Sequence, residues 1–329
     1  MDRARPGRLR LLLGAALGLG LLAVILVQVD VAGTARIMAA ASPSLLVVAL
    51  SVVLLDLALR AHRWRVLVQG AGPEHRSSFR LALAYLTVGY LANQLLPARL
   101  GDLARAYLAG QAFGMSRLAA LGTIVVERLA DGGTMLALAL ASTFLVTGVA
   151  VVSQLAMVGL LLAVVGLAGL GLAWWVMART PLGALRPSRF IRDVVRRVAL
   201  GTGGVLTPRG AFIVAVGTVA VTVTAVSIGW LIAAATGIVL TPLQAVLFVS
   251  AMAMSLAIPA APAAIGTYEF VGVVVLTSLG FPAEHALAAV LLMRVVTSLP
   301  PVLLGVGSVW ALHLRAGQLL QPERLRGAA

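Results

Sequence analysis

The sequence predicts an all-α polytopic membrane protein, and its composition and hydropathy carry that prediction. The 329 residues are 61% hydrophobic and only 11% charged, whereas soluble domains carry about 25% charged residues. Six apolar segments approach or exceed the length of about 20 residues that a spanning helix needs. We therefore predict a multi-pass protein of the cell membrane, either the inner or the plasma membrane.

The six predicted spanning helices lie near residues 9–28, 44–61, 117–148, 152–177, 211–236 and 284–313. Two further apolar stretches, 79–113 and 243–280, are interrupted by proline and glycine, which break helices. Each is predicted to form a hairpin that is either re-entrant or crosses the membrane twice. If the hairpins cross, all eight apolar segments span the membrane. Polar residues crowd the tip of the first hairpin, which favours the re-entrant form.

Arginines predict the orientation. All 25 basic residues are Arg, and 20 of them, including Arg60 and Arg63, fall in segments that would share one side, whereas only Arg36 falls opposite. The positive-inside rule then places both termini in the cytoplasm. A cytoplasmic loop at 178–210 should carry an amphipathic helix, and residues 314–329 should form a short cytoplasmic tail. Arginines in short loops indicate membrane topology, so no nucleic-acid partner is expected.

The two broken stretches align with each other, which predicts an internal repeat within one membrane domain. Pro97 and Pro262 lie 165 positions apart, as do Gly101 and Gly266, and similar runs that end in Arg128 and Arg294 are offset by 166. Repeat A covers about 9–148 and repeat B about 152–313, with inverted orientations. Inverted repeats with broken helices are typical of transporters that bind substrate near the midplane. Chance similarity between Ala-, Leu- and Val-rich runs is the alternative.

Eight charged residues stand out as candidates at membrane depth, where each costs about 2.5–3.5 kcal/mol: Arg99, Asp102, Arg105, Glu127, Arg128, Asp131, Glu269 and Arg294. Asp102 is three residues from both Arg99 and Arg105, so on a helix it could brace both guanidinium groups. Because guanidinium binds phosphate with two hydrogen bonds, these residues predict a pocket for a lipid headgroup. Structural ion pairs that lock the hairpin are the alternative.

The other charges have equally open roles. The Glu127, Arg128 and Asp131 cluster is either a gate or proton relay facing the first hairpin, or a packing clamp between helices. Glu269 could pair with Arg294 or Arg128, and Asp56 should form a local salt bridge with Arg60. Structural or hinge roles are assigned to Asn93, Pro97, Gly101, Pro259, Pro262 and Gly266. There is no cysteine, no metal-ligand spacing among the histidines and no catalytic motif, so neither cofactor, metal nor catalytic residue is expected.

At these residues the chain resembles the transmembrane region of lysylphosphatidylglycerol synthases, a flippase-like membrane family, from about residue 10 to 313. The family pattern N-x3-P-x-R-x-G-[D/E]-x2-R falls on Asn93, Pro97, Arg99, Gly101, Asp102 and Arg105, and E-R-x2-D falls on Glu127, Arg128 and Asp131. The second motif falls on Pro259, Pro262, Gly266, Thr267, Tyr268 and Glu269, and the late arginine is Arg294. Ala263 and Ala264 depart from the pattern, because glycine is common there.

The resemblance implies a flippase-like protein that moves an anionic or phosphate-linked lipid, a phospholipid or a polyprenyl-phosphate type, between leaflets. Synthase activity is not expected, because the cytosolic domain of bifunctional members is not found in this sequence. Two alternatives remain: an intramembrane headgroup transferase with Glu127 or Asp131 as base, and a non-transporting partner of a separate lipid-modifying enzyme.

Overall fold

The computed structural model describes residues 5–71, 77–95, 100–146, 198, 200–256 and 264–313. Within those ranges the regular structure is helical, and no strand is present. The helices are α1 (Arg5–Gln28), α2 (Val31–Ala40), α3 (Pro43–Gly70), α4 (Phe79–Leu95), α5 (Leu100–Ala112), α6 (Arg117–Leu145), α7 (Gly203–Leu206), α8 (Pro208–Ala235), α9 (Pro242–Ser255), α10 (Thr267–Ser278) and α11 (Ala283–Ala311).

Five of the six predicted spanning segments contain a long helix: α1, α3, α6, α8 or α11. Three of these, α3, α8 and α11, are long and apolar enough to cross a membrane by composition. The segment Ala16–Gln28 and helix α2 would make a fourth span only as a pair bent by 87°. The all-α polytopic fold is therefore confirmed, whereas the predicted helix at 152–177 lies outside the described residues.

Local capping signals begin several of these helices. The hydroxyls of Ser116 and Thr207 accept backbone N–H groups at the starts of α6 and α8. Thr241 and Gln244 form a capping box at the start of α9, which satisfies two backbone groups that a helix end leaves without partners. Sequence analysis missed α2, whose N-terminus is capped by Asp30, because ten residues are too few for a hydropathy signal.

Both predicted broken stretches form two helical arms. The arms α4, α5, α9 and α10 have 17, 13, 14 and 12 residues, and each is shorter than the roughly 20 residues of a full span. These lengths favour re-entrant hairpins over fully crossing ones. The breaks at Pro97, Pro259 and Pro262 lie outside the described residues.

Helices α3 and α8, which the repeat makes equivalent, run antiparallel along their whole length. Three hydrogen bonds show this. Ser42, just before α3, bonds to Ala235 at the end of α8, Asp56 bonds to Thr224 near the middle of both helices, and Arg63 bonds to Thr218 in the first half of α8. This is the relative orientation that an inverted repeat predicts.

Contacts between the other helices also occur in equivalent pairs, one from each repeat. Helix α4 packs on α11 while α9 packs on α6, and α3 packs on α11 while α8 packs on α6. The hairpin contacts α4–α5 and α5–α6 likewise match α9–α10 and α10–α11. These reciprocal contacts support the repeat, whose boundaries at 9–148 and 152–313 stay a prediction.

The end of the predicted loop 178–210 packs closely on two helices. A Cβ on Gly70 would collide with the Cα of Gly204, and a Cβ on Gly122 would collide with the carbonyl oxygen of Val198. The absence of a Cβ at Gly70 and Gly122 therefore allows residues 198 and 200–206 to pack closely against α3 and α6 at one end of the bundle. The amphipathic helix predicted over 178–197, and the predicted tail 314–329, lie outside the described residues.

The inverted arrangement predicts opposite sidedness for two exposed positions in this cysteine-free chain. Ala112 lies in the last turn of α5, whereas Val239, 82% exposed, follows α8. In intact cells, an impermeant thiol reagent should label Val239→Cys and should label Ala112→Cys only after the membrane is opened. Equal labelling of both variants from outside would contradict the topology.

Candidate functional site

One face of α3 supplies polar residues to the centre of the bundle. Asp56, Arg60 and Trp64 are spaced four residues apart, and Arg63 is three residues after Arg60, so all four lie on one side of a helix. The predicted helix 44–61 ends too early, because α3 continues to Gly70 and carries Arg63 as well as Arg60. The side chain of Arg63 is only 1% exposed.

Asp131 of α6 binds both α3 arginines. The carboxylate accepts from the two terminal nitrogens of Arg63 at 2.5 and 2.9 Å and from Arg60 at 3.1 Å. Arg60 also forms the predicted salt bridge with Asp56, at 2.6 Å. Thr218 of α8 accepts from Arg63 at 2.9 Å, so this ion-pair group joins three long helices.

Arg105 of α5 and Glu127 of α6 form a second, fully buried ion pair. Their side chains are 1% and 0% exposed, and the nitrogen–oxygen distance is 2.9 Å. The Arg105 guanidinium lies 3.8 Å from the centre of the Trp64 ring, a cation–π contact. The Trp64 indole donates to Thr123 at 3.0 Å, which fixes the ring beneath the cation.

Asp102 and Arg128 form a third pair, this time at the first hairpin. The arginine donates two hydrogen bonds to the carboxylate, at 3.0 and 2.8 Å. The prediction that Asp102 braces Arg105 is wrong, because the carboxylate faces α6 and Arg105 binds Glu127 instead. Arg99, the other predicted partner, lies outside the described residues.

Asn93 and Gly101 hold the two arms of the first hairpin together. The Asn93 side-chain oxygen accepts the Gly101 N–H at 2.8 Å, and its nitrogen donates to Asp102 at 3.3 Å. A Cβ on Gly101 would collide with the carbonyl oxygen of Gly89 and lie 2.5 Å from the Asn93 amide nitrogen. Only glycine therefore fits between the arms, in agreement with the structural roles predicted for Asn93 and Gly101.

The second hairpin repeats this construction with Glu269. One oxygen accepts the Gly266 N–H at 2.7 Å, and the other forms an ion pair with Arg294 at 2.5 Å, which is one of the two partners that the sequence left open. The Arg294 guanidinium also lies 4.5 Å from the Tyr268 ring centre. Gly266 has φ +87°, which glycine adopts readily. Ala264, which departs from the usual glycine, has φ +54°, so its backbone is strained.

The described network contains five arginines and five carboxylates, so its formal charge is zero. The residues that form these ion pairs are Asp56, Arg60, Arg63, Asp102, Arg105, Glu127, Arg128, Asp131, Glu269 and Arg294. Sequence analysis treated Asp56 and Arg60 only as a local salt bridge, and it named neither Arg63 nor Trp64, whose ring contacts Arg105, as site residues. The signal was available, because these residues continue the face of Asp56 along α3.

Residues 11–305 match the family model described as the lysylphosphatidylglycerol synthase TM region. The chain belongs to this family. No curated protein matches the chain. The matched range includes both hairpins and every ion pair of the network, so the membership extends over the whole candidate site.

In this lysylphosphatidylglycerol synthase TM-region protein, two arginines of the network are more accessible than the rest. The side chains of Arg128 and Arg294 are 31% and 22% exposed. That of Arg60 is 17% exposed and is held between Asp56 and Asp131, and those of Arg63 and Arg105 are each 1% exposed. Gly132, one turn after Arg128, has open space where a Cβ would lie. Arg128 and Arg294 are therefore the guanidinium groups best placed to meet a ligand.

Replacement of Gly101 by alanine should destabilise the protein by about 1–3 kcal/mol, because the added methyl group overpacks the hairpin. Gly307→Ala is the matched control, since Gly307 is also helical and no atom lies within 4 Å of its Cβ position. Thermal unfolding in detergent should show a lower melting temperature for Gly101→Ala alone. Equal melting temperatures would contradict the close contact.

Arg63→Ala should destabilise the protein by about 3–5 kcal/mol, the cost of breaking a buried ion pair from one side. Arg36→Ala is the control, because its side chain is 79% exposed and surface changes stay within about 0.5 kcal/mol. The double variant Arg63→Met/Asp131→Asn should recover part of the loss, since neither residue then carries a charge. Unfolding in detergent measures all three, and an Arg63→Ala protein as stable as wild type would refute the assignment.

Proposed function

We propose that this protein binds an anionic or phosphate-linked lipid and translocates it between leaflets. The observation that carries the proposal is a charge-neutral set of arginine–carboxylate pairs at the two hairpins. Two of its guanidinium groups, those of Arg128 and Arg294, are partly exposed. Family membership adds a lipid-related role, because the chain matches the membrane region of synthases named for a phospholipid product.

The chemistry of the site suits a phosphate headgroup. Guanidinium binds phosphate with two parallel hydrogen bonds, and Arg128 already binds a carboxylate in that way. The headgroup would enter the polar centre while the acyl chains stay in lipid. Movement of one repeat against the other would then expose the site to each leaflet in turn.

A headgroup transferase receives less support from the geometry. It would need Glu127 or Asp131 as a base near the substrate. Glu127 is bound by Arg105 and buried, and Asp131 is bound by Arg60 and Arg63. Both carboxylates already have cationic partners, which favours transport over catalysis.

The proposed orientation keeps both termini in the cytoplasm of the cell membrane. With Arg60 and Arg63 inside the bundle, the number of arginines on the cytoplasmic side falls from 20 to 18 of 25, and Arg36 is still the one assigned to the opposite side. The positive-inside argument therefore keeps its direction.

Arg128→Ala should abolish translocation of an acyl-labelled phosphatidylglycerol in proteoliposomes, because the headgroup loses its most accessible cation. Arg99→Ala is expected to do the same, since Arg99 belongs to the same predicted pocket. Arg36→Ala is the control, because its exposed side chain pairs with Asp30 outside the network. A dithionite-quenching assay measures transport, and circular dichroism checks the fold. Wild-type rates in both Arg128→Ala and Arg99→Ala would remove the mechanism.

A further inference from the structure

Each half of the protein carries the same ion pair in the same structural position. Asp102 is the third residue of α5 and Glu269 is the third residue of α10. Their partners Arg128 and Arg294 are each the twelfth residue of a 29-residue helix, α6 and α11. We call Asp102–Arg128 the first hairpin latch and Glu269–Arg294 the second hairpin latch.

The two hairpin latches lie at different depths if the repeats are inverted. The twelfth residue lies three residues before the centre of a 29-residue helix, about 4.5 Å along the axis at 1.5 Å per residue. Because α6 and α11 would begin on opposite sides of the membrane, the two arginines would lie on opposite sides of the midplane, about 9 Å apart in depth.

Each carboxylate keeps other partners if its arginine leaves. Glu269 also accepts the Gly266 N–H, and Asp102 also accepts from Asn93. Both acids lie in the first turn of a helix, where the partial positive charge of the N-terminus favours an anion. A phosphate could therefore replace either carboxylate on its arginine while that carboxylate keeps a hydrogen-bond donor and the helix N-terminus.

Side-chain contacts connect the two hairpin latches. Gln94, next to Asn93, donates to Ser298 at 2.9 Å, and Ser298 lies one turn after Arg294 on α11. The hairpin that holds Asp102 is thus bonded to the helix that holds Arg294.

We propose that the two hairpin latches are equivalent headgroup sites, opened in turn by the same anionic headgroup, which replaces Asp102 on Arg128 in one half and Glu269 on Arg294 in the other. This inference rests on the proposed lipid binding. It adds that there are two headgroup sites and that a carboxylate competes with the headgroup at each of them. The carboxylates act as built-in competitors that occupy each arginine while no lipid is bound.

Removal of each competing charge tests the proposal. Asp102→Asn and Glu269→Gln should each bind an acyl-labelled short-chain phosphatidylglycerol roughly two- to fivefold more tightly, the range of a partly exposed ion pair. The matching diacylglycerol, which lacks phosphate, should bind all proteins equally. Asp30→Asn is the matched control, because Asp30 pairs with Arg36 outside both hairpin latches. Fluorescence anisotropy with the full chain in detergent measures affinity.

Replacement of each guanidinium group by an ammonium group is the second test. Arg128→Lys and Arg294→Lys keep the charge and lose the two-bond geometry, so each should weaken phosphatidylglycerol binding while the melting temperature stays near wild type.

Unchanged or weaker binding in either Asp102→Asn or Glu269→Gln would overturn the proposal. If both bind more tightly but wild-type protein moves no lipid, the hairpin latches stand and the proposed transport fails. If Arg128→Ala alone stops transport while Asp102→Asn and Glu269→Gln leave affinity unchanged, transport stands and the hairpin latches fail.

Discussion

The fold depends on the rule that a charge inside a membrane must have a partner of opposite sign. Asp131, the central residue of α6, satisfies this rule by binding Arg60 and Arg63 of α3, and Arg63 continues the network to Thr218 of α8. A charge without a partner at this depth would cost about 2.5–3.5 kcal/mol. Because the ion pairs form only when the three helices are aligned, this cost holds them in one register. The network therefore specifies which helix faces meet, a choice that Ala, Leu and Val packing alone would leave loosely defined.

Close backbone contacts bring the hairpins to this network. At Gly101 the arms α4 and α5 touch through backbone atoms, and a Cβ on Gly266 would collide with the carbonyl oxygen of Gly18 on α1. These contacts place Asp102 and Glu269 at the starts of α5 and α10, within reach of their arginines. Small residues are the usual way for helices to approach closely in lipid. In this protein they also position charge.

The sequence was sufficient for five long helices and for the two arms of each broken stretch, because hydropathy and proline–glycine breaks report local structure, but it missed the short helix α2. It failed where a side chain's partner lies on another helix. Arg63 was placed in a loop because counting arginines treats any cation after an apolar run as cytoplasmic. Asp102 was paired with Arg105 because spacing along one helix shows only local neighbours. For Glu269 the sequence left two partners open, Arg294 and Arg128, and only the packing of α10 on α11 decides for Arg294.

A closed network of this kind restricts what a moving protein can transport. Any rocking that separates Arg128 from Asp102 or Arg294 from Glu269 would leave two uncompensated charges, unless a ligand supplies a negative group at that moment. A neutral lipid offers the guanidinium no charge, so the separation would remain costly. An anionic headgroup restores the pair on the arginine, while the helix N-terminus and Asn93 or Gly266 retain the carboxylate. The deeply buried pair Arg105–Glu127 has no comparable access and is suited to stay closed throughout. Selectivity for an anionic lipid would then follow from electrostatics, before any fit of the headgroup is considered.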